Sequence, residues 1–430
     1  MNEESIPPPG SSLGSSDKSG SSSSDRSGSD DNAPFDEARI DSIKRADVRA
    51  AFGYCLKIFL VARVGLTVLA LAAVGLGFSN GTTDVPGWPA PQPEVGFDNI
   101  GSSFERWDAL WFLRIAEDGY AENDGSAAFF PLYPMTVRAV STAIGGHPLA
   151  AALIVSNAAF LAALIVVYLL TKLEFDETVA RRTTVYMSVW PTALFFLAPY
   201  SESLFLLLAA GSFLCARRSK WVWAAVLGAL AAATRSIGIV LVLVLAVEAL
   251  HQYKEKRDPR LASLLRPLAL SSLVGVGTLA YLFYWKVAAD TWLAPIGEQA
   301  NWQRVFSFPL LTLRSGTDAA FEFIGVGGGG YPLLDWAVVV PALAAAVWVA
   351  VKARPAYAVY AWASLLLPLT FIFEARPFMS VPRFTVVIWP IFWALARFAG
   401  RWNAHATIVA CSAAGLGAFT ILYVNWYWIF

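Results

Sequence analysis

"FERWDALWFLRIAEDGYAENDGSAAFFPLYP" (residues 104–134) carries enough apolar bulk to pass for a membrane span, yet charged residues interrupt its first two thirds. Whether it crosses decides the topology of everything that follows. On a helix at about 100° per residue, Phe104, Trp107, Trp111, Phe112 and Ile115 share one arc, with Glu105, Arg106, Arg114 and Glu117 mostly off it. That pattern predicts an amphipathic helix over 104–120 lying in the membrane interface on the outer side. Asp108 falls inside the aromatic arc, where loss of hydration makes a carboxylate a better base. A helix cap, or a pair with Arg106 or a later arginine, is the plainer reading of the same residue. The run 127–144 is short and opens on FFPLYP, which predicts a juxtamembrane or re-entrant segment.

Composition sets the class. The 430 residues are 57% hydrophobic and 15% charged, whereas soluble domains carry about 25% charged residues. An all-α polytopic membrane protein is predicted. The net charge of zero leaves no global basic field for nucleic acid. Cys55, Cys215 and Cys411 have no spacing that fits zinc or a disulfide framework. The 17 Trp and 28 Phe fit aromatic belts and large interior cavities. Residues 1–36 are rich in Ser, Gly, Asp and Pro, too polar to order themselves, and are expected to be a disordered cytoplasmic tail. Residues 37–430 are expected to form one transmembrane domain.

Working outward, Arg39, Lys44, Arg45 and Arg49 precede the first apolar run, 51–78, and the loop 79–103 after it has no basic residue. The positive-inside bias puts the N-terminus in the cytoplasm. Later apolar runs fall at 149–170, 183–199, 201–216, 221–234, 236–250, 264–288, 332–352, 357–373, 384–399 and 405–425. The basic clusters 171–182, 216–220, 251–260, 352–355 and 396–402 can all be cytoplasmic only if 127–144 does not fully cross. With ~20 apolar residues per span, the count is about eleven, with the C-terminus outside. One long tilted helix across 221–250 is the alternative and shifts the parity. The preferred topology puts loops 79–126 and 289–331 outside, together with Asp108, the SES turn (201–203), TRS (234–236) and EARPFMSVPRF (374–384).

Several residues there invite chemistry. Glu202, between two apolar runs, suits a helix N-terminus or a site. Arg235 interrupts an apolar run, which demands a partner or water. Its guanidinium suits phosphate, and an ion pair with Glu202 is the structural alternative. Arg376 and Arg383, beside Glu374, oppose the usual charge bias if external, which points to an anionic ligand or to salt bridges. NWQRVF (301–306) offers aromatic and amide groups for a sugar. GVGGGGY (325–331) lacks the following Lys and Ser/Thr of a P-loop and reads as a flexible external loop. The three histidines have no metal-ligand spacing.

RWDALWFLRIAEDGY with AFFPLYP (106–134), LAPYSESLF (197–205) and ATRSIG (233–238), in that order, resemble the PIG-V family of mannosyltransferases in the GT-C superfamily. The resemblance implies a GT-C-like bundle and an inverting glycosyltransferase. Its donor would be a polyprenyl (dolichyl)-phosphate sugar, with mannose as the sugar, and its acceptor a glycolipid or glycan. It also implies an essential acid in the first external loop, matched by Asp108. Glu202 and Arg235 match motif positions. The chemistry agrees: a phosphodiester leaves readily, so no strong general acid is required, and one carboxylate can take the proton of the acceptor hydroxyl. Asp108 is the expected base. Arg235, with Arg376 or Arg383, would stabilise the departing lipid phosphate. Trp107, Trp111 and Tyr120 would frame the sugar or seat the helix, and the lipid tail would enter between helices. A phosphoryl lipid donor does not itself demand a metal, and no metal ligand is assigned. Two other classes remain open, a transporter or flippase of lipid-linked sugars and a non-catalytic subunit of a glycosylation complex. The site would face outward at a bacterial plasma membrane or the lumen of the endoplasmic reticulum.

Overall fold

Long apolar runs cannot leave backbone groups unsatisfied in lipid, so they fold as helices. The computed structural model describes residues 44–77, 80–91, 98–257, 259–301, 303–322 and 330–429. The tail 1–36, part of loop 79–126 and most of GVGGGGY lie outside the described residues.

In chain order the helices are α1 (Arg45–Gly75), α2 (Asp98–Ser102), α3 (Asp108–Asp118), α4 (Leu132–Ala143), α5 (Pro148–Glu174), α6 (Glu177–Val189), α7 (Glu202–Arg217), α8 (Trp221–Thr234) and α9 (Val240–Lys256). They continue with α10 (Ala262–Ser272), α11 (Gly275–Ala289), α12 (Ala294–Asn301), α13 (Pro309–Glu322), α14 (Gly330–Lys352), α15 (Pro355–Leu369), α16 (Val381–Thr385), α17 (Trp389–Trp402) and α18 (His405–Val424). Among the described residues, extended pairing is limited to an isolated bridge between Val85 and Trp88 and a two-residue antiparallel pairing of β1 (Val305–Phe306) with β2 (Phe371–Ile372).

Among the described residues, six helical stretches are long and apolar enough to cross a membrane: Arg45–Gly75, Pro148–Glu174, Ser236–Lys256, Ala262–Ala289, Pro332–Lys352 and His405–Val424. Trp221–Thr234 and Pro355–Leu369 are apolar but shorter. The protein is thus a helical integral membrane protein. The run 221–250 is not one tilted helix. It breaks at Arg235, whose backbone is extended, and Gly238 then packs so close to the backbone of Ala231 and Ala232 that no Cβ would fit. Gly277 lets α11 approach the backbone of α8 at Ala229 in the same way, the small-residue packing that substitutes for hydrophobic drive in lipid. The helix α4 has 12 residues, about 18 Å at 1.5 Å per residue, short of a ~30 Å hydrocarbon core.

The region 104–120 departs from expectation. Its helix starts at Asp108, not Phe104, because Trp107 adopts φ 58° and turns the chain. From Ala109 to Ala116 every residue is buried. Trp111 stacks on Phe129 and Phe112 meets Phe129, Tyr133 and Tyr200 edge-on. Arg114, expected on the wet face, pairs with Asp124 and lies over the Trp111 ring. The helix α3 is therefore packed on α4 and α5 with both faces covered, since both its aromatic and its basic side chains find partners.

The basic clusters gather at one end of the bundle. Arg217, ending α7, pairs with Glu174 at 2.5 Å and Glu248 at 3.2 Å. Arg354 joins Glu248 at 3.3 Å and Glu255 at 2.7 Å. Lys172 bridges Asp47 and Glu177, and Arg182 donates to the carbonyl of Ala396 at 3.4 Å. Glu202 begins α7 and Arg217 ends it, so the residues at the start of α7 lie about 22 Å from this network.

Candidate functional site

At the end of α7 away from the basic network, four charged side chains from four elements converge. Asp108 is the first residue of α3, Glu202 the first of α7, Arg235 the residue on which α8 stops, and Arg383 lies on α16. Arg383 Nη1 reaches Asp108 Oδ2 at 2.5 Å, and its Nε donates to Glu202 Oε1. Arg235 Nη1 meets the same Glu202 oxygen at 2.7 Å and donates to Ser201 Oγ at 3.0 Å. The Arg383 guanidinium lies over the Tyr200 ring at 4.5 Å, and that of Arg235 over Phe384 at 5.1 Å.

The local backbone explains the convergence. Arg106 fixes the turn before Asp108. Its guanidinium donates to Ser102 O at 2.5 Å and Val424 O at 3.1 Å and lies over Trp426. The carbonyl of Arg106 accepts the hydroxyls of Tyr200 at 3.1 Å and Tyr423 at 3.2 Å. With Arg106 so held, Asp108 pairs with Arg383 and not with Arg106. The positive φ of Trp107, an unfavourable conformation for a bulky residue, is maintained by these buried contacts, and such strain gathers at functional sites.

The two acids differ in access. Glu202 is fully buried, whereas the Asp108 side chain keeps 20% of its surface. Glu202 Oε2 has no hydrogen-bond partner among the described residues, a costly condition for a buried carboxylate. Asp108 faces a guanidinium instead of the apolar pocket expected of it.

A fifth residue, Arg304, was missed by sequence reasoning. The β1–β2 pairing, with Val305 opposite Ile372 and Phe306 opposite Phe371, carries it to the segment bearing Arg383. Its Nη2 donates to Ser380 Oγ at 2.8 Å. Burial lowers its pKa from the usual arginine value, a lowering that Asp108 opposes and Arg383 reinforces; an arginine remains cationic regardless. No carboxylate among the described residues lies at ion-pairing distance from it. Three guanidiniums thus face two carboxylates. A basic residue in a loop expected to be external is the signal that could have found Arg304, since it is the argument that singled out Arg376 and Arg383.

Other expected residues are engaged elsewhere. Arg376 forms a bidentate pair with Asp335, at 2.6 and 2.7 Å, and donates to Trp428 O at 2.5 Å. It braces α14 and the C-terminal segment and is not part of the charged cluster. Tyr120 donates to Phe129 O at 2.7 Å among Tyr281, Tyr284 and Trp285, and Trp111 is buried against Phe129. Both pack the bundle, so neither frames the cluster. Trp107, next to Asp108, is half-buried between Trp426 and Trp428. In NWQRVF, Trp302 lies outside the described residues.

This geometry stands on a segment with known relatives. Residues 97–288 match the family model for mannosyltransferase (PIG-V). All three motifs lie within that stretch, and the resemblance they carry is borne out. A GPI mannosyltransferase 2 from Cryptococcus neoformans is 34% identical over 145 residues, which are 31% of this chain and 34% of the relative. One from Drosophila pseudoobscura pseudoobscura is 37% identical over 114 residues, 24% of this chain and 25% of the relative. The aligned segments thus span no more than about a third of these relatives. Among solved structures, ArnT from Cupriavidus metallidurans bound to undecaprenyl phosphate superposes with a TM-score of 0.43 at 15% identity, covering 85% of this chain and 76% of that one. Within the PIG-V segment lie Asp108, Glu202 and Arg235; Arg304 and Arg383 come from beyond it.

Proposed function

We propose that the protein is a membrane mannosyltransferase that moves mannose from a polyprenyl-phosphate donor to a lipid-linked or glycan acceptor, with inversion. The observation that carries this reading is the shared Arg383, which holds the accessible Asp108 and the buried Glu202 together beside a third arginine without a carboxylate partner.

The assignment of roles follows from access and charge. Asp108 Oδ2 is held by Arg383, and its other oxygen takes the proton of the acceptor hydroxyl. The acceptor oxygen then bonds to the anomeric carbon while the bond from that carbon to the phosphate oxygen breaks. The electron pair goes to the lipid phosphate, whose developing charge meets Arg304 and, behind it, Arg383 and Arg235. Preorganised cations in a partly dehydrated site are effective in this role. Glu202 fixes Arg235 and Arg383 so that they do not collapse onto the base. Trp107 offers a ring beside the base.

The charges lie at helix termini at one end of the bundle, which supports transfer over transport, since transporters place substrate charges near the midplane. The test is incubation of purified protein with labelled polyprenyl-phosphate mannose and acceptor membranes. Labelled product with release of polyprenyl phosphate is the expected result; uptake or flipping of intact donor with no product would favour the transporter reading.

Arg304→Ala is expected to raise the donor KM by about 10–100-fold, the loss of a hydrogen bond to a charged group, with a near-normal melting temperature. Donor titration and thermal unfolding in parallel check this. A fallen melting temperature with an unchanged KM would make Arg304 a strut for the segment 371–384.

A further inference from the structure

The opposite, basic end of the bundle holds a second feature, which the proposed transfer does not use. A cleft of about 610 Å³ opens there between the α7–α8 turn, the end of α9 and the start of α10, within the ~300–1,000 Å³ typical of ligand sites. Its lining includes Lys220, Lys256 and Arg266 with Trp221, Trp223 and Tyr253, and among the described residues it contains no acid.

Among the described residues, the nearby acids Glu174, Glu248 and Glu255 are already engaged. Glu174 and Glu248 face Arg217, and Glu248 and Glu255 face Arg354. Gln252 in the cleft floor is fixed by Ala216 O at 2.9 Å and Glu248 Oε1 at 2.8 Å. Lys256 donates to Ser219 Oγ at 3.2 Å. Lys220 and Arg266 are exposed, and no carboxylate among the described residues lies at ion-pairing distance from either. Arg266 stands one turn inside a helical stretch apolar enough to span the membrane, where an arginine reaches back toward the headgroup level unless it finds an anion.

The apolar surroundings select among anions. Val222 and Trp223 of the lining are 49% and 61% exposed, and Leu261, just before α10, and Leu265 on it are 59% and 53% exposed. An anion held between Lys220 and Arg266 therefore lies beside apolar surface that acyl chains can follow. Tryptophans at such a boundary sit at headgroup depth, and basic clefts between helices on the cytoplasmic side suit anionic headgroups. From this geometry we propose that the cleft binds an anionic phospholipid, its phosphate between Lys220 and Arg266 and its chains along Val222, Trp223 and Leu265. The positive-inside bias places this site in the cytoplasmic leaflet, away from the Asp108 cluster, so the proposal stands independently of the transferase reading.

Native mass spectrometry of the full-length detergent-solubilised protein, titrated with phosphatidylglycerol or phosphatidylcholine, tests it. The wild type should retain phosphatidylglycerol in preference to phosphatidylcholine. Lys220→Ala/Arg266→Ala should weaken phosphatidylglycerol retention by roughly 30-fold, the combined effect of two basic side chains at an anionic surface, leaving phosphatidylcholine adducts unchanged. Arg266→Lys, which keeps the charge, should retain most of the binding, and it serves as the reference should the double variant be poorly folded. Equal retention by wild type and double variant, or equal retention of the two lipids by the wild type, overturns the proposal. Displacement of phosphatidylglycerol by inorganic phosphate at low millimolar concentration also overturns it, in favour of a soluble phosphate site.

Discussion

Asp108→Asn should lower mannosyl transfer by about 10²–10⁴-fold, the usual worth of a positioned general base, and leave the fold intact. Asparagine keeps the shape of the side chain and an oxygen that can accept from Arg383, so the α3–α16 contact survives. Arg383 retains Glu202 as its charge partner, and no buried ion is orphaned. What disappears is the capacity to take a proton. The Asp108 side chain keeps 20% of its surface against 0% for Glu202, which is why the proposed base is Asp108 and not Glu202. Single-turnover transfer at saturating donor, read beside thermal unfolding, separates the alternatives. Transfer within a few-fold of wild type would end the assignment of Asp108 as base. A large loss of both transfer and melting temperature would make Asp108 a structural partner of Arg383. A non-catalytic subunit predicts no transfer by the isolated wild type, a control that the same experiment contains.

The sequence carried the membrane class and the three motifs, because hydropathy and local residue order are both one-dimensional signals. The pairing of Arg235 with Glu202 was legible as one of two readings, since an arginine breaking an apolar run requires a partner or an anion. Arg383 and Arg376 could not be told apart in the same way. Each is a basic residue in one loop, and only the tertiary fold directs Arg376 to Asp335, an acid inside an apolar run, and Arg383 to Asp108. The start of α3 was misjudged because a helical wheel assumes helical backbone throughout, whereas the hydroxyls of Tyr200 and Tyr423 hold the carbonyl of Arg106 in a turn. For Trp111 and Tyr120 the sequence leaves two roles open, framing the sugar or seating the helix. Their partners Phe129, Tyr281 and Trp285 come from segments that periodicity does not connect to 104–120. Arg304 reaches the cluster through a two-residue strand pairing, too short to announce itself in any pattern.

Arg383→Ala should be the most destabilising single change at the site, by about 3–5 kcal/mol, the cost of removing one partner from a buried ion pair. Two carboxylates depend on this guanidinium, and Glu202, one of them, is fully buried. Without Arg383, Glu202 keeps only Arg235, and its Oε2 already lacks a donor among the described residues. Asp108 loses its ion-pair partner among the described residues. The rings of Tyr200 and Phe195 also lose the cation that lies over them. Arg383→Lys should recover little, because a single ammonium cannot reproduce a guanidinium that presents separate nitrogens to two acids. Thermal unfolding in detergent, with activity read in parallel, measures the effect. If the origin is an uncompensated buried acid, Glu202→Gln introduced into Arg383→Ala should restore a substantial part of the lost stability while transfer stays abolished. A double variant as unstable as Arg383→Ala alone would assign the loss to packing around the arginine. An Arg383→Ala protein that melts like the wild type would mean that the cluster is held by its helices and that the arginine serves the substrate alone.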